Sequence, residues 1–489
     1  MPTRFYDVIA LGRETAIVAA AALLAKRGLR ILWIGDGPAA DSYSLAGLKL
    51  PLEPFVMCAV ERPSAGRVGD ELNLSQMLRR RLPANRPAFQ VVLPHARLDV
   101  GDAETLTQEM GREFGEVRLA VDGYLRAAQQ IDGQLDDLLG LPGTFPPQGF
   151  WERREVARLV PALRKLGDPL AGLPEGHAFR AFAEAPAHFA ADAASDSLSP
   201  LLRARLHSNW RRGTFRVPGG RTGLLEIFLE KSGGSAAEMQ PNLRASRLTV
   251  QRGRVTGVVP EGREEALGCE HLIAGVLPER LLALLGEGRP ARRFAQALTR
   301  IPVVARRFTV NFVLPAETLP EGMSTLVVAA PGSGDPRPPL LLVTTDPDEQ
   351  GRVVLTVGTQ VPAQAGVSQM RGGVEQRVLE VVPFLDRHVL LCHSPHDGNP
   401  PTGPLSADLE APPPVEMTPV YGIHDPAHGI AGLPYKTGLK NAWYAGRASL
   451  PGLGIEGEIE AAWGVARIVS RKRRAPDTFR KRVLFGRSP

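Results

Sequence analysis

Short apolar runs and longer amphipathic stretches alternate along the chain, and the first such group lies between Tyr6 and Gly37. The apolar run Asp7–Leu11 predicts a strand, and the Ala-rich stretch that follows it predicts a helix. A second apolar run, Leu29–Ile34, comes directly after Gly28 and predicts another strand. This order is typical of a βαβ unit, so we expect an α/β domain at the start of the chain.

The same patterns predict the elements of the remaining chain. Apolar runs predict strands at Phe89–Pro94, Leu98–Val100, on either side of Arg252-Gly253, and at Cys269–Val276, Arg306–Leu314, Ser324–Ala330, Leu340–Thr345, Val353–Val361 and Asn441–Ala445. Helical spacing predicts helices over Glu104–Leu139, within 150–207, after Gly219-Gly220, over Gly372–Val389 and from about Ile455. Four strands in succession between 306 and 361 indicate a mostly antiparallel sheet with its own core, and the Pro-rich 396–419 predicts an extended connector.

Length and composition place the chain among soluble globular proteins. Its 489 residues suggest roughly two to four domains. Three well-separated cysteines without a CxxC predict a reduced, cytoplasmic compartment. The Ala/Leu run from Ala16 to Ala25 is too short to span a bilayer, and the N-terminus lacks the pattern of a signal peptide.

Charge is unevenly distributed, although the net charge is only +6. The stretch 471–487 is strongly basic and carries interspersed apolar residues such as Phe479 and Leu484. Such a basic tail (476–489 in the domain division below) favours weak peripheral contact with an anionic membrane, and we expect no specific nucleic acid. A solvated tail that closes the last helix is the alternative.

The turn after the first strand resembles the G-x-G-x-x-G fingerprint of dinucleotide-binding domains. There, the first glycine permits the tight turn, the second lets the backbone approach the diphosphate, and the third lets the helix pack on the strand. Gly12 occupies the first position, whereas Glu14 and Ile17 occupy the other two. Glu14 places a carboxylate where a helix N-terminus should attract an anion. The acid expected at the end of the second strand is replaced by Gly35, with Asp36 one residue later.

Three stretches in order resemble the phytoene desaturase and flavin amine oxidase superfamily. They are YDVIALG at the start, Pro218-Gly219-Gly220 to Leu224 with GRVTGV at 253–258, and YAGR at 444–447 with PGLGIEGE at 451–458. The family's C-terminal pattern is AGD followed by PGxGhxGA, where h is an apolar residue. The resemblance implies an α/β fold with a discontinuous Rossmann-like FAD-type domain and an inserted α+β substrate domain that contains the antiparallel sheet. The implied FAD-type domain comprises 1–75, 208–290 and 430–475, and the substrate domain comprises 76–207 and 291–429.

The resemblance also implies which residues would contact FAD. These are Gly12, Glu14, Asp36, Gly219, Gly220, Ala245, Gly446, Arg447, Gly452, Gly454 and Ile455. The family's aspartate after the glycine of the C-terminal motif is Arg447 here, and its GG-[RK] segment is reduced to Gly37-Pro38. Arg447 could pair with Glu14 in the cofactor site or could reach a phosphate, and the sequence leaves both open. Gly12 could serve only the turn, and Gly452 and Gly454 could be ordinary loop residues.

Other chemistry has little support in the sequence. His393 and His396 with Asp397, and His424 and His428 further on, match no recognised metal-site spacing. Ser449 lacks the surroundings of a nucleophilic serine, and no Cys–His arrangement emerges. We therefore expect no metal, and we assign no catalytic residue.

Two functions follow from these observations. Because the lost groups are those that hold the cofactor, we favour a non-catalytic binding or scaffold relative whose partner is an apolar small molecule or a protein. The alternative is an active FAD-dependent oxidoreductase on an apolar, polyene-like or amine substrate.

Overall fold

The computed structural model describes residues 4–37, 41–232, 237–332, 334–407, 409–423 and 430–473. The strands are β1 Phe5–Gly12, β2 Ile31–Ile34, β3 Ser42–Leu45, β4 Leu48–Pro51, β5 Phe89–Leu93, β6 Ala96–Val100, β7 Ala237–Gln240, β8 Ala245–Gln251, β9 Arg254–Pro260, β10 Leu267–Gly275, β11 Val303–Pro315, β12 Leu326–Ala329, β13 Leu340–Thr344, β14 Arg352–Pro362, β15 Leu391–His393, β16 Pro419–Tyr421 and β17 Ala442–Tyr444. The helices are α1 Thr15–Lys26, α2 Pro63–Leu72, α3 Ser75–Arg81, α4 Ala103–Glu113, α5 Arg118–Leu139, α6 Phe150–Lys165, α7 Ala178–Glu184, α8 Ala187–Ala190, α9 Pro200–Arg212, α10 Gly220–Ser232, α11 Pro278–Leu285, α12 Arg289–Leu298, α13 Met370–Val381 and α14 Ile455–Arg473.

The first sheet has the order β7-β2-β1-β10-β9-β8, and β17 also pairs with β10. Strands β7, β2, β1, β10 and β17 run parallel, whereas β8 and β9 form an antiparallel hairpin joined to β10. This arrangement confirms the α/β, Rossmann-like fold. The parallel strands end at one edge, where Gly12 of β1 is level with Gly275 of β10.

The second sheet has the order β15-β11-β14-β13-β12-β5-β6, with β16 paired to β11. Strands β11 to β14 are antiparallel neighbours, as predicted, but β12 also pairs in parallel with β5, which lies far away in sequence. All strands of this sheet fall within the predicted substrate ranges, and those of the first sheet fall within the FAD-type ranges. The exact domain boundaries stay predictions.

Two predicted elements differ from the structure. The helix expected over Gly372–Val389 ends at Val381, because Pro383 disfavours helical backbone in the residue before it. The Pro-rich connector is not wholly irregular, since Pro419–Tyr421 forms β16 on the edge of the second sheet. No described helix has the length and apolar character needed to cross a membrane.

Helices α1 and α14 pack together at the centre of the molecule. Ten consecutive residues of α1, from Thr15 to Leu24, are buried. Helix α14 carries Glu456, Glu458 and Glu460, each at most 1 % exposed. Each carboxylate pairs with an arginine from another segment: Glu456 with Arg205, Glu458 with Arg221, and Glu460 with Arg67. These pairs fix α14 against its neighbours.

Helix α1 packs closely on the sheet, although the third glycine of the fingerprint is absent. Ile17 occupies that position, and the space for its side chain comes from Gly275 on the adjacent strand β10. A Cβ at position 275 would overlap Ile17 Cγ1 and lie 2.6 Å from the Ala445 carbonyl oxygen. Gly12, with φ of +113°, faces the Gly275 carbonyl so closely that a side chain would overlap it.

Substituting Gly275 should therefore be costly. We expect Gly275→Ala to lower the free energy of unfolding by about 3 kcal/mol, because overpacking strains the core and the backbone oxygen cannot move aside easily. Denaturant unfolding measures this change. Gly123→Ala is the matched control: Gly123 is helical and has open space around its Cα, so this change should stabilise by about 0.5–1 kcal/mol. Equal effects of the two substitutions would contradict the packing argument.

Candidate functional site

The N-terminus of α1 lies at the edge where the parallel strands end, and a carboxylate from α14 caps it. The Thr15 amide donates to Glu458 Oε2 at 3.0 Å. Arg221 of α10 donates to Glu458 Oε1 at 2.6 Å and to the Thr15 hydroxyl at 2.9 Å. Glu458 is fully buried. The helix dipole and the arginine together stabilise this charge in the interior.

Glu14 and Arg447 lie next to each other, but their side chains do not pair. The Arg447 backbone amide donates to Glu14 Oε2 at 2.6 Å. The Arg447 guanidinium turns away and donates to Glu53 Oε1 at 2.6 Å. Gly446 allows this approach, because a Cβ there would lie 3.0 Å from Glu14 Oε2. The first alternative for Arg447, a side-chain pair with Glu14, is therefore wrong, because the guanidinium pairs with Glu53 and only the backbone amide contacts Glu14.

These groups belong to a larger set, which we call the interior charge cluster. It comprises Glu14, Glu53, Asp192, Glu458, Arg221, Arg307 and Arg447. Arg307 of β11 adds a contact to Asp192 at 3.3 Å. The cluster joins segments of both sheets and holds four carboxyl groups against three guanidinium groups, so it is one positive charge short of balance.

The pKa values of carboxyl groups in the cluster shift in opposite directions. Burial, reinforced by repulsion from Glu458, raises the pKa of Glu14 to about 7, although Arg447 and Arg221 oppose the shift. Burial also raises the pKa of Asp192. Burial would raise the pKa of Glu53 as well, but Arg447, Arg307 and Arg221 outweigh it and hold that pKa well below its ordinary value.

Asp36, another of the predicted FAD contacts, follows strand β2. Its carboxylate accepts from the Ala245 amide at 2.9 Å and from Arg280 at 2.9 and 3.1 Å. Arg280 also donates to the Ala245 carbonyl at 2.5 Å. Gly35 cannot carry the acid expected there, because a side chain would overlap the Pro241 carbonyl oxygen. Both polar groups of the Ala245 backbone are thus satisfied within the protein.

The glycines of the two predicted loops differ in their environment: one pair is packed against protein, and the other lines a cavity. Gly454 turns with φ of +54° and packs on the backbone of Ala190, where a Cβ would overlap the carbonyl oxygen. Gly452 is buried in the short turn before α14, which begins at Ile455. Gly219 and Gly220, both with positive φ, instead line a cavity. As cofactor contacts, all these residues stay predictions.

That cavity has a volume of about 360 Å³ and lies between the loop 215–221 and strands β13 and β14 of the second sheet. Its wall is largely apolar and includes Phe55, Phe215 and Val343. Glu53 and Thr344 are among the residues that line it. Each has one side-chain oxygen that is buried without a hydrogen-bond partner among the described residues. The size and the apolar wall of the cavity suit an apolar small molecule.

Sequence reasoning missed several members of the site. Glu458 occupies the position of the alanine in the family pattern, directly after Gly457. This departure from the motif could have marked Glu458 as a residue of the site. The run Glu456, Glu458, Glu460 on a helix of mostly buried residues was a second signal, because buried carboxylates require partners. Glu53, Asp192 and Arg307 lie outside the three motif stretches, and no local pattern marks them.

The histidines and cysteines considered in the sequence form neither a metal site nor a disulfide among the described residues. Among the described residues, no group of three or more His, Cys, Asp or Glu is arranged to hold a metal ion. His393 hydrogen-bonds Tyr43, and Asp397 pairs with Arg371. His424, His428 and the basic tail after Arg473 lie outside the described residues. The three cysteines are buried and form no disulfide.

Several solved oxidoreductases are similar in fold to this chain. No known family profile matches the chain. An oxidoreductase from Methanosarcina mazei has a TM-score of 0.59 at 14 % identity, over 94 % of this chain and 100 % of its own. Cyclohexylamine oxidase from Brevibacterium oxydans has a TM-score of 0.55 at 12 % identity, over 96 % and 99 %. Putrescine oxidase bound to putrescine has a TM-score of 0.55 at 14 % identity, over 96 % and 100 %.

The comparison shows the fold of the chain. The chain shares its fold with this oxidoreductase and with the two amine oxidases, in agreement with the resemblance that its three motif stretches carry. At this level of identity the likeness concerns the fold alone, and function depends on the residues of the site.

The raised pKa of Glu14 predicts a pH dependence of stability. The pKa of this carboxyl rises from 4.5 to about 7 on folding, so its stabilising contribution is complete below pH 4.5 and is lost as the pH rises towards 7. The Glu14→Gln side chain can still accept a hydrogen bond from the Arg447 amide. Between pH 4.5 and 7, we expect the free energy of unfolding of this variant to rise relative to that of wild type by about 2–3 kcal/mol. Denaturant unfolding at a series of pH values measures the difference.

Glu152 provides a control of opposite sign. Burial would raise its pKa, but hydrogen bonds from the Gln148 amide, Arg471 and Thr144 outweigh burial and lower it to about 2. Glu152→Gln should therefore lose stability relative to wild type at neutral pH, and this deficit should shrink as the pH falls from 4.5 towards 2. A Glu14→Gln difference that stays constant between pH 4.5 and 7 would show that Glu14 titrates normally.

Proposed function

We propose that this protein is a flavin-free, non-catalytic relative of the amine oxidases that binds an apolar small molecule bearing a hydrogen-bond donor. One observation carries the first half of the proposal: the amide at the N-terminus of α1, where a diphosphate would lie, is capped by the buried carboxylate of Glu458. The open cavity beside it supports the second half.

The residues at the diphosphate position do not fit FAD. A diphosphate would have to displace Glu458 from Thr15 and approach Glu14, which lies beside the same helix N-terminus. Removing one partner from a buried ion pair costs about 3–5 kcal/mol. The incoming negative charge would also add to a cluster that already lacks one positive charge, so binding becomes still less favourable.

The ribose end fits no better. Asp36, the acid closest to the expected position, is held by Arg280 and by the Ala245 amide. Position 35 has no room for a side chain. A nucleotide would have to break the contacts of Asp36 and Arg280 to use either group, because both are already satisfied.

An active FAD-dependent oxidoreductase is the second candidate, and the chemistry of Arg447 favours it. This guanidinium lies beside the predicted site and could transfer from Glu53 to a phosphate group, which would compensate for Glu14. The alignment with amine oxidases over nearly the whole chain is compatible with this function. The proposal and this alternative differ in one property, the binding of flavin.

The cavity supports binding without redox chemistry. Glu53 remains ionised because of its arginine neighbours, and one of its oxygens lacks a partner among the described residues. The Thr344 hydroxyl adds a second polar point on an otherwise largely apolar wall. Two solved neighbours act on amines by name, and an alkyl or cycloalkyl ammonium group would satisfy Glu53 here. We therefore propose amines of this class as ligands.

Flavin content tests the first half of the proposal. We expect the purified wild-type protein to lack absorption bands at about 375 and 450 nm and to take up no added FAD in equilibrium dialysis. A variant that combines Glu14→Gly, Ile17→Gly and Glu458→Ala removes the obstructing groups and should acquire measurable FAD affinity. A yellow wild-type protein would overturn the proposal, and oxidation of an added amine by that protein would establish the oxidoreductase alternative.

Two further variants distinguish a specific effect of Glu458 from general destabilisation of the fold. Glu460→Ala removes an equally buried carboxylate from α14 at a distance from the α1 N-terminus, and it should bind no FAD. Glu458→Ala alone exposes Arg221 and the Thr15 amide, so it should bind inorganic diphosphate about tenfold or more tightly than wild type. If Glu458→Ala and Glu460→Ala bind diphosphate equally, Glu458 does not occupy an anion site.

Amine binding tests the second half. Cyclohexylamine and hexylamine should raise the melting temperature of the wild-type protein and should be recovered unchanged. Cyclohexanecarboxylate, which has the same ring but a negative charge, should change the melting temperature little, because the Glu53 carboxylate repels it. Val343→Trp fills the cavity and should weaken amine binding by about tenfold or more. Val250→Trp, at an exposed site on β8, is the control, and equal binding by both variants would rule out the cavity.

A further inference from the structure

We propose that the N-terminal turns of α6, together with the end of α14, form a docking surface for an anionic lipid membrane. Phe150 and Trp151 open α6 and are 66 % and 70 % exposed. Their rings contact each other at 5.5 Å with an angle of 77° between the planes. The inference does not depend on the cavity or on the cofactor question.

An exposed pair of large aromatic rings is unusual on a soluble surface. Phe and Trp bury extensive apolar area when they find a partner, and Trp favours the boundary between lipid and water because one edge of its ring is polar. The other tryptophans, Trp33, Trp210, Trp443 and Trp463, are at most 4 % exposed. Trp151 is therefore the exception in this chain.

Basic side chains lie around the aromatic pair. Arg153, Arg154 and Arg158 of α6 are all exposed. The Arg154 guanidinium lies 5.8 Å from the centre of the Trp151 ring. Guanidinium groups next to aromatic rings can contact lipid phosphates while the rings enter the interfacial region.

The end of α14 brings more positive charge to the same place. Arg471 donates to Glu152, the residue after Trp151, at 2.5 Å. This ion pair neutralises an acid that would otherwise repel an anionic surface, and Arg471 stays 47 % exposed. After Arg473 the sequence continues with five basic residues and a single acidic one, Asp477. The described part of α14 therefore ends close to the start of α6.

The combination favours a membrane over nucleic acid. Charge and apolar groups at one surface are the two signals that together give stable peripheral binding. The positive charge selects anionic lipid.

Vesicle binding of the full-length protein tests the proposal. We expect co-sedimentation with phosphatidylcholine vesicles that contain phosphatidylglycerol, and much weaker binding to phosphatidylcholine alone. Because Trp151 is the exposed tryptophan, binding should shift the intrinsic fluorescence to the blue, and brominated lipids should quench it. A variant with Phe150→Ser and Trp151→Ser should bind about tenfold more weakly and lose the shift.

Phe384→Ser is the matched control. Phe384 is 64 % exposed and also has an arginine over its ring, Arg387 at 4.7 Å, but it lies outside the proposed surface. This variant should bind vesicles as wild type does. A shortened chain that ends at Arg473 should bind more weakly yet keep the fluorescence shift. Binding unaffected by the Phe150/Trp151 change, or a preference for single-stranded DNA over anionic vesicles, would overturn the proposal.

Discussion

The hydrogen bond from the Thr15 amide to the Glu458 carboxylate is the contact on which the centre of the molecule depends. Helix α1 starts at the edge of a parallel sheet, where its dipole and unpaired amides require a negative partner. In dinucleotide-binding proteins a ligand supplies that partner. Here α14 supplies it, and Arg221 binds both the carboxylate and the Thr15 hydroxyl. Three helices are thereby joined by one buried charge.

The local elements could be predicted because they depend on short-range patterns. The apolar run before Gly12, the alanine-rich α1 and the hairpin at Arg252-Gly253 all appear where periodicity placed them. The parallel pairing of β12 with β5 could not be predicted, because it depends on contacts between segments far apart in the chain. The same limit explains why Gly275 was missed: its role as the partner of Ile17 exists only once β10 lies beside β1.

The candidate site was predictable only in part, for an electrostatic reason. Glu14 and Arg447 are visible as departures from motifs, and the structure does bring them together. Their partners come from other segments, because each buried charge requires compensation that no local pattern specifies. The guanidinium of Arg447 therefore binds Glu53, which lies between β4 and α2. The Glu14–Arg447 charge pair that the sequence allowed is not formed, and only the Arg447 backbone amide contacts Glu14.

Under the function proposed here, the charge network takes the place of the cofactor in fixing the arrangement of α1, α10 and α14. A bound ligand stabilises a fold through its affinity for the folded state, so a chain that no longer binds one requires other contacts. Buried ion pairs are a weak source of net stability because desolvation offsets most of their attraction, but an unpartnered member is very unfavourable. The network thus selects one arrangement of α1, α10 and α14 and penalises others. It fills the diphosphate end of the site, whereas the neighbouring cavity stays open, and for this reason we place ligand binding in the cavity.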